Sequence, residues 1–251
     1  MMNTKTFIPL SKLFAIWMLA GLAMVVSGVG YVRIARLPAA FVTDSEIINL
    51  MQGSIFLLAA FWAATLNDLT IGATMFDFSV EIKKDLKLTL KYFMMYALSA
   101  AALIGLLYLT VMLMMKLGLF SMAAFNNYYE QSMTAKVAQK NYLGEVLLRS
   151  PVKLAVYLFS VCVLIPIEEE IFMRRLLYVS LRAKMTFLPA LLVSSLIFGL
   201  THLGAAAVSA FVAGLFLGWI YERHHNLPVN IMVHGSINLF VSITMLFFAI
   251  N

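Results

Sequence analysis

The chain has 251 residues, 63% of them hydrophobic, with a formal net charge of +6 and a mean hydropathy of +0.93. A water-soluble domain of this size has too little polar surface to cover so large an apolar fraction, so the composition excludes one and points to the bilayer as solvent. Lys and Arg fall in short stretches between apolar segments, without a basic stripe interleaved with aromatics, which suits anionic headgroups and argues against nucleic acid.

A spanning helix takes roughly 20 mostly apolar residues. Leu13–Val32 follows Lys5 and Lys12 and is longer than a signal-peptide apolar region of roughly 7–15 residues, so it reads as a retained transmembrane helix. Ile47–Leu66 and Tyr92–Met115 are the next two candidates. Between them, Asn67–Lys91 mixes Asp68, Asp77, Glu81, Lys83, Lys84, Asp85 and Lys87 with apolar residues, a pattern that predicts an amphipathic helix on the membrane surface. Phe120–Arg149, centred on Asn126, Asn127, Tyr128, Tyr129 and Glu130, reads as a loop or interfacial helix.

The second half offers Val152–Ile165, Phe187–Leu203, Ala205–Tyr221 and Pro228–Ile250. The expected fold is therefore all-α, a polytopic membrane bundle of about seven segments, six to eight, forming a single domain over residues 1–251. The distribution of Lys and Arg between segments favours a cytoplasmic N-terminus. The one cysteine, Cys162, excludes an internal disulfide and a multi-cysteine metal site; in its apolar run it reads as an inert core residue.

Charged residues make up only 12% of the chain, yet five fall within Glu168-Glu169-Glu170-Ile171-Phe172-Met173-Arg174-Arg175, set off from the preceding apolar run by Pro166. Charge near membrane depth is expensive and marks a functional site by default. On a helix, Glu170 and Arg174 share one face at i, i+4 and form an ion pair, while Glu169 turns roughly 100° away and is free to act as a general base. Arg175, Arg182 and Lys184 read as interfacial anchors, and the bland alternative for the whole run is a solvated helix end.

Two later segments carry the chemical partners. Phe198-Gly199-Leu200-Thr201-His202 places Phe198 and His202 on one helical face, and His234-Gly235-Ser236-Ile237-Asn238 does the same for His234 and Asn238. Two donors on one face suit a developing oxyanion, although His–Asn pairs also serve as interhelical glue in membranes. His224 and His225, beside Glu222, Arg223 and Asn226, read as a solvated pair.

EEIFMR (Glu169–Arg174), FGLTH (Phe198–His202) and HGSIN (His234–Asn238), in this order, resemble the EExxxR, FxxxH and HxxxN motifs of the CAAX protease and bacteriocin-processing family of intramembrane endopeptidases, also called the Abi family. Only the Glu169–Glu170 pair sets an arginine at the required spacing, which leaves Glu168 as the extra residue. The motif core spans residues 166–238. The resemblance implies that Glu169 and His202 activate a water, that His234 and Asn238 hold the oxyanion, and that Glu170, Arg174 and Phe198 support them. It implies a membrane-associated or lipidated peptide or protein as substrate. Family roles include trimming of prenylated C-termini, processing of bacteriocins or peptide pheromones, and self-immunity. The small size looks prokaryotic, hence a prokaryotic cell membrane.

No cofactor is expected; zinc held by His202, His234 and a glutamate is the less favoured alternative, and no HExxH, CxxC or GxSxG signature is present. The competing function is a non-catalytic immunity or scaffold protein that uses the same polar residues as packing glue. A single site also requires His202 and His234 to meet, although full crossings would put them at opposite membrane faces. Either the Phe187–Leu203 helix continues past His202 or Ala205–Tyr221 stops short, with Gly199, Gly204, Gly214 and Gly218 permitting the close packing involved.

Overall fold

The computed structural model describes residues 8–34, 36, 46–66, 81–119, 121–123, 126–127, 150–202 and 206–250. Seven helices dominate them, and no strand occurs among the described residues. They are α1 (Leu10–Ile34), α2 (Glu46–Thr65), α3 (Ile82–Lys116), α4 (Pro151–Arg182), α5 (Phe187–Leu200), α6 (Ala206–His224) and α7 (Leu227–Ile250). Five of them, α1 to α4 and α7, are long and apolar enough to cross a membrane. The expected polytopic helical bundle is what forms.

Two boundaries depart from the sequence reading. Lys83–Lys91 belongs to the opening turns of α3, a continuous helix of 35 residues, and not to a separate surface helix. The turns are amphipathic as expected, with Asp85, Thr89 and Tyr92 buried and the lysines exposed. Residues 67–80, with Asp68 and Asp77, lie outside the described residues, as do Tyr128, Tyr129, Glu130 and most of the 120–149 stretch.

Likewise, Pro166 does not end a helix. α4 runs through it for 32 residues and carries the charged run in its middle. The chain absorbs the proline by switching register: Ser160–Leu164 forms a π-helical turn, with the Ile165 N–H bonded to the Ser160 carbonyl, and Ile171–Tyr178 forms a second. Such turns interrupt α-helices most often at functional sites. Pro166 carries no N–H, so the carbonyls of Val161 and Cys162 receive no bond from it and are left for other partners.

The core forms around the second half of α4. Ile171, Phe172, Leu176, Leu177 and Tyr178 are almost fully buried among residues of α1, α2 and α5. Trp17 of α1 stacks on Phe172, with ring centroids 5.4 Å apart. A second cluster joins Tyr92 of α3 to Leu217 and Ile220 of α6 and to Val229, Val233 and Ile237 of α7.

α5 and α6 pack closely because glycines face them. A Cβ on Gly199 would stand 2.9 Å from the Ala207 carbonyl oxygen, and one on Gly218 would stand 2.6 Å from a Leu191 methyl. Gly214 packs against Ser195 and Phe198. The close packing expected of these three glycines is therefore present; Gly204 lies outside the described residues. Two residues, His225 and Asn226, turn α6 into α7: His225 takes a positive φ of 47°, and the Asn226 Oδ1 caps α7 by accepting from the Val229 N–H at 3.0 Å.

Candidate active site

α4, α5 and α7 each deliver one motif. Glu170 is fully buried and Arg174 nearly so, and the ion pair expected at i, i+4 is present at 3.1 Å. Arg174 also donates to the Gly214 carbonyl at 3.4 Å and lies over the Phe198 ring, 5.0 Å from its centroid. A planar guanidinium can do both at once, which an ammonium cannot. Burying either charge alone would be costly, so each is retained because the other is there.

Glu170 has two further partners, both on α7. His234 Nδ1 lies 2.9 Å from its Oε1, and Asn230 Nδ2 donates to its Oε2 at 3.3 Å while also donating to the Leu217 carbonyl at 2.8 Å. A carboxylate paired with arginine only accepts, so His234 carries a proton on Nδ1 and turns Nε2 toward Glu169, whose Oε2 is 3.6 Å away. Glu169 keeps some exposure, 13% of its side chain, where Glu170 has none. The two adjacent glutamates thus separate into a buried structural group and an accessible one, as the helical pitch implies. Glu168 is also buried, at 3% exposure, and makes no ion pair with the site.

His202 approaches from α5. That helix ends at Leu200, but Thr201 and His202 add a tightened turn, the His202 N–H bonding to the Gly199 carbonyl at 3.0 Å. His202 Nδ1 donates to the Phe198 carbonyl at 2.9 Å, and Nε2 has no hydrogen-bond partner among the described residues. Phe198 is the shared wall of the site. Its ring meets His202 edge-on at 4.9 Å and His234 at 6.0 Å, opposite no lipid of its own, since it is 2% exposed. Glu169 lies within electrostatic range of both imidazoles and of Arg174.

The structure therefore brings Glu169, His202 and His234 together around Phe198, with Glu170 and Arg174 behind them. Asn238 stands one turn further along α7 and does not touch the other three. Its Nδ2 donates to the Val161 carbonyl at 2.9 Å, one of the two carbonyls that Pro166 leaves without a bond. Beside it, the Cys162 carbonyl abuts Gly235 so closely that a Cβ there would collide with it.

The meeting of His202 and His234 has a simple cause. α5 does not continue as an α-helix past His202; its 14 residues reach about 21 Å, short of a hydrocarbon core of about 30 Å. His234 lies seven residues into α7, about 10 Å from its start. Neither imidazole therefore needs to lie at a far membrane face.

Four expectations fail. Arg175 is no interfacial anchor but 3% exposed, while Arg182 is half-buried and bonded to Glu222 at 2.9 Å. His224 and His225 are not a solvated pair: both are half-buried, His224 Nε2 lies 2.6 Å from the Tyr92 hydroxyl, and His225 packs edge-on against Tyr221. The neighbouring polar groups of a bundle recruited them, which composition does not show. Asn230 is the residue that the sequence reading missed. Its signal was present, because Asn230, His234 and Asn238 form one stripe at i, i+4 and i+8 on α7.

Fold and site together define a multi-pass helical membrane protein with a buried, ion-paired carboxylate–imidazole centre. Residues 151–240, a stretch that holds all three motifs, match the family model described as Type II CAAX prenyl endopeptidase Rce1-like. Over that stretch the chain is similar to CAAX-protease-type endopeptidases. No curated protein and no solved structure matches the chain.

Proposed function

We propose that the chain is an intramembrane endopeptidase of glutamic type, in which Glu169 and His202 activate the hydrolytic water. The observation that carries this reading is the division of labour between Glu169 and Glu170. Arg174, His234 and Asn230 saturate Glu170, whereas Glu169 retains exposure and faces the imidazoles. The His202 Nε2 lone pair accepts from a water that Glu169 also holds; the proton passes to the carboxylate, and hydroxide attacks the scissile carbonyl.

The oxyanion falls to His234 and Asn238. As a donor through Nε2, His234 must be protonated on both nitrogens, with Nδ1–H fixed on Glu170. Asn238 has one amide N–H committed to Val161, which orients the group so that its second N–H, and not its carbonyl, is available. Glu169 then returns the proton to the leaving amine.

We propose further that no metal takes part. Among the described residues no group of three His, Cys, Asp or Glu side chains is arranged to hold one. The substrate is a membrane-associated or lipidated peptide or protein, and a prokaryotic cell membrane suits the small chain.

The test uses purified protein and a mixed peptide set that includes prenylated peptides, with products read by mass spectrometry. Cleavage is expected from wild type with or without a chelator, and none from Glu169→Gln. Loss of wild-type cleavage on chelation would replace this mechanism with a metal-dependent one. A Glu169→Gln variant that cleaves normally would return the site to packing glue.

A further inference from the structure

Outside the catalytic centre, positive charge concentrates where α3 enters its apolar stretch. Lys83, Lys84, Lys87 and Lys91 are all exposed within nine residues, and Lys84, Lys87 and Lys91 share one face beside the buried Asp85, Thr89 and Tyr92. The end of α6 adds Arg223, exposed and lying over the Trp219 ring at 5.5 Å, while Lys91 lies over Tyr92 at the same distance. Tyr92 and Trp219 meet edge-on at 5.8 Å, so the two cations rest on one aromatic wall.

These groups converge on His224. Burial first, and then the charges of Arg223, Lys91, His225 and Lys84, hold its pKa below the ordinary value, so the ring is neutral. The Tyr92 hydroxyl occupies Nε2 at 2.6 Å, and Nδ1 has no partner among the described residues. Counter-charge is scarce. Glu81 is exposed and reaches only Lys84, at 3.5 Å; Asp85 is 1% exposed and holds Asn226 at 2.8 Å. Lys83, Lys87, Lys91 and Arg223 have no carboxylate within ion-pair distance among the described residues.

We propose that this corner is a binding site for the phosphate of an anionic phospholipid. Lys84, Lys91 and Arg223 supply charge, His224 Nδ1–H supplies a directed donor, and the half-buried Trp219, backed by the buried Tyr92, sits at the glycerol level, where amphipathic rings collect. A lipid is favoured over free phosphate because an apolar surface leads directly away from the cations: Leu90, Met94 and Leu98 on α3 are 61%, 48% and 65% exposed. An anionic headgroup is favoured over a zwitterionic one because, among the described residues, Lys84, Lys87, Lys91 and Arg223 outnumber the nearby carboxylates Glu81 and Asp85, and a choline would add to the excess.

The experiment uses the full chain with Trp17→Phe and Trp62→Phe, leaving Trp219 as the only tryptophan, in micelles titrated with brominated phosphatidylglycerol or phosphatidylcholine. Half-maximal quenching by phosphatidylglycerol is expected at a concentration at least fivefold lower. Lys84→Gln/Lys91→Gln/Arg223→Gln should erase the difference, whereas removal of the same charge at Lys12, Lys116 and Lys184 should leave it. Equal quenching by the two lipids, or loss of preference in the control triple, overturns the site. Should the tryptophan background fail to fold, thermal protection of the wild type is the second reading. Phosphatidylglycerol should raise its melting temperature and phosphatidylcholine should not, and equal protection by inorganic phosphate overturns the assignment to a lipid.

Discussion

Asn230 is an amide in a place where an apolar residue would fill the space equally well. It holds Glu170 and the Leu217 carbonyl together, and so fixes the carboxylate that in turn fixes His234. Removing one hydrogen bond to a buried charged group costs about 1.5 kcal/mol, or about tenfold in rate if it acts only on positioning. Asn230→Ala should therefore lower kcat about tenfold with KM little changed, and Asn230→Asp should lower it further by adding a carboxylate beside Glu170. Steady-state kinetics on a fluorogenic peptide checks both. Unchanged kcat in Asn230→Ala would show that Arg174 alone orients the glutamate. At this scale the Glu170–Arg174 pair and the divergence of Glu169 from Glu170 were legible, because i, i+4 faces are local and the pitch separates the two glutamates. Asn230 and the buried Arg175 were not, since only tertiary packing tells an inward polar residue from a solvated one.

At the level of the helix, α4 shows how one proline shapes a site about one turn away. The register change around Pro166 leaves the Val161 carbonyl to Asn238 and brings the Cys162 carbonyl against Gly235, where no side chain fits. Gly235→Ala should force α7 away from α4. Overpacking of this kind costs about 1–3 kcal/mol. The expected result is a lower melting temperature in detergent together with loss of cleavage, because His234 precedes Gly235 directly. A folded, active Gly235→Ala enzyme would mean that the two helices are free to part. Apolar runs located all seven helices, although only five of them are long and apolar enough to cross a membrane. The passage of α4 through Pro166 was hidden, because a proline after an apolar run reads as a stop unless the carbonyls it frees find partners in another helix.

Across the whole molecule, polar clips at the helix ends join what the apolar surfaces leave loose. Arg182 grips Glu222 with Nε and Nη2 while donating to the Met185 carbonyl through Nη1, and the Tyr178 hydroxyl reaches the same carboxylate at 2.8 Å. Burial acts to raise the Glu222 pKa, but the hydrogen bonds from Arg182 and Tyr178 and the Arg182 charge outweigh it and hold the pKa below the ordinary carboxylate value. A depressed folded pKa adds stability above the unfolded carboxylate pKa and loses it as pH falls through the folded one. Wild-type melting temperature should therefore drop on acidification below about pH 4.5, near the ordinary value for a glutamate, and Glu222→Gln should flatten that limb. Parallel curves would assign the acid sensitivity elsewhere.

The shortness of α5 has a consequence for supply. Every peptide bond cut consumes one water, and the hydrocarbon interior offers almost none. If α5 starts at one face of the membrane, its length of about 21 Å falls roughly 9 Å short of a slab of about 30 Å, and the bilayer is expected to thin at its His202 end so that headgroups and solvent approach. The enzyme would draw its co-reactant from that thinned region. Reconstituted into phosphatidylcholines of lengthening acyl chain, it should slow as the region fills with lipid tails, and a rate indifferent to bilayer thickness would mean that water arrives by another route.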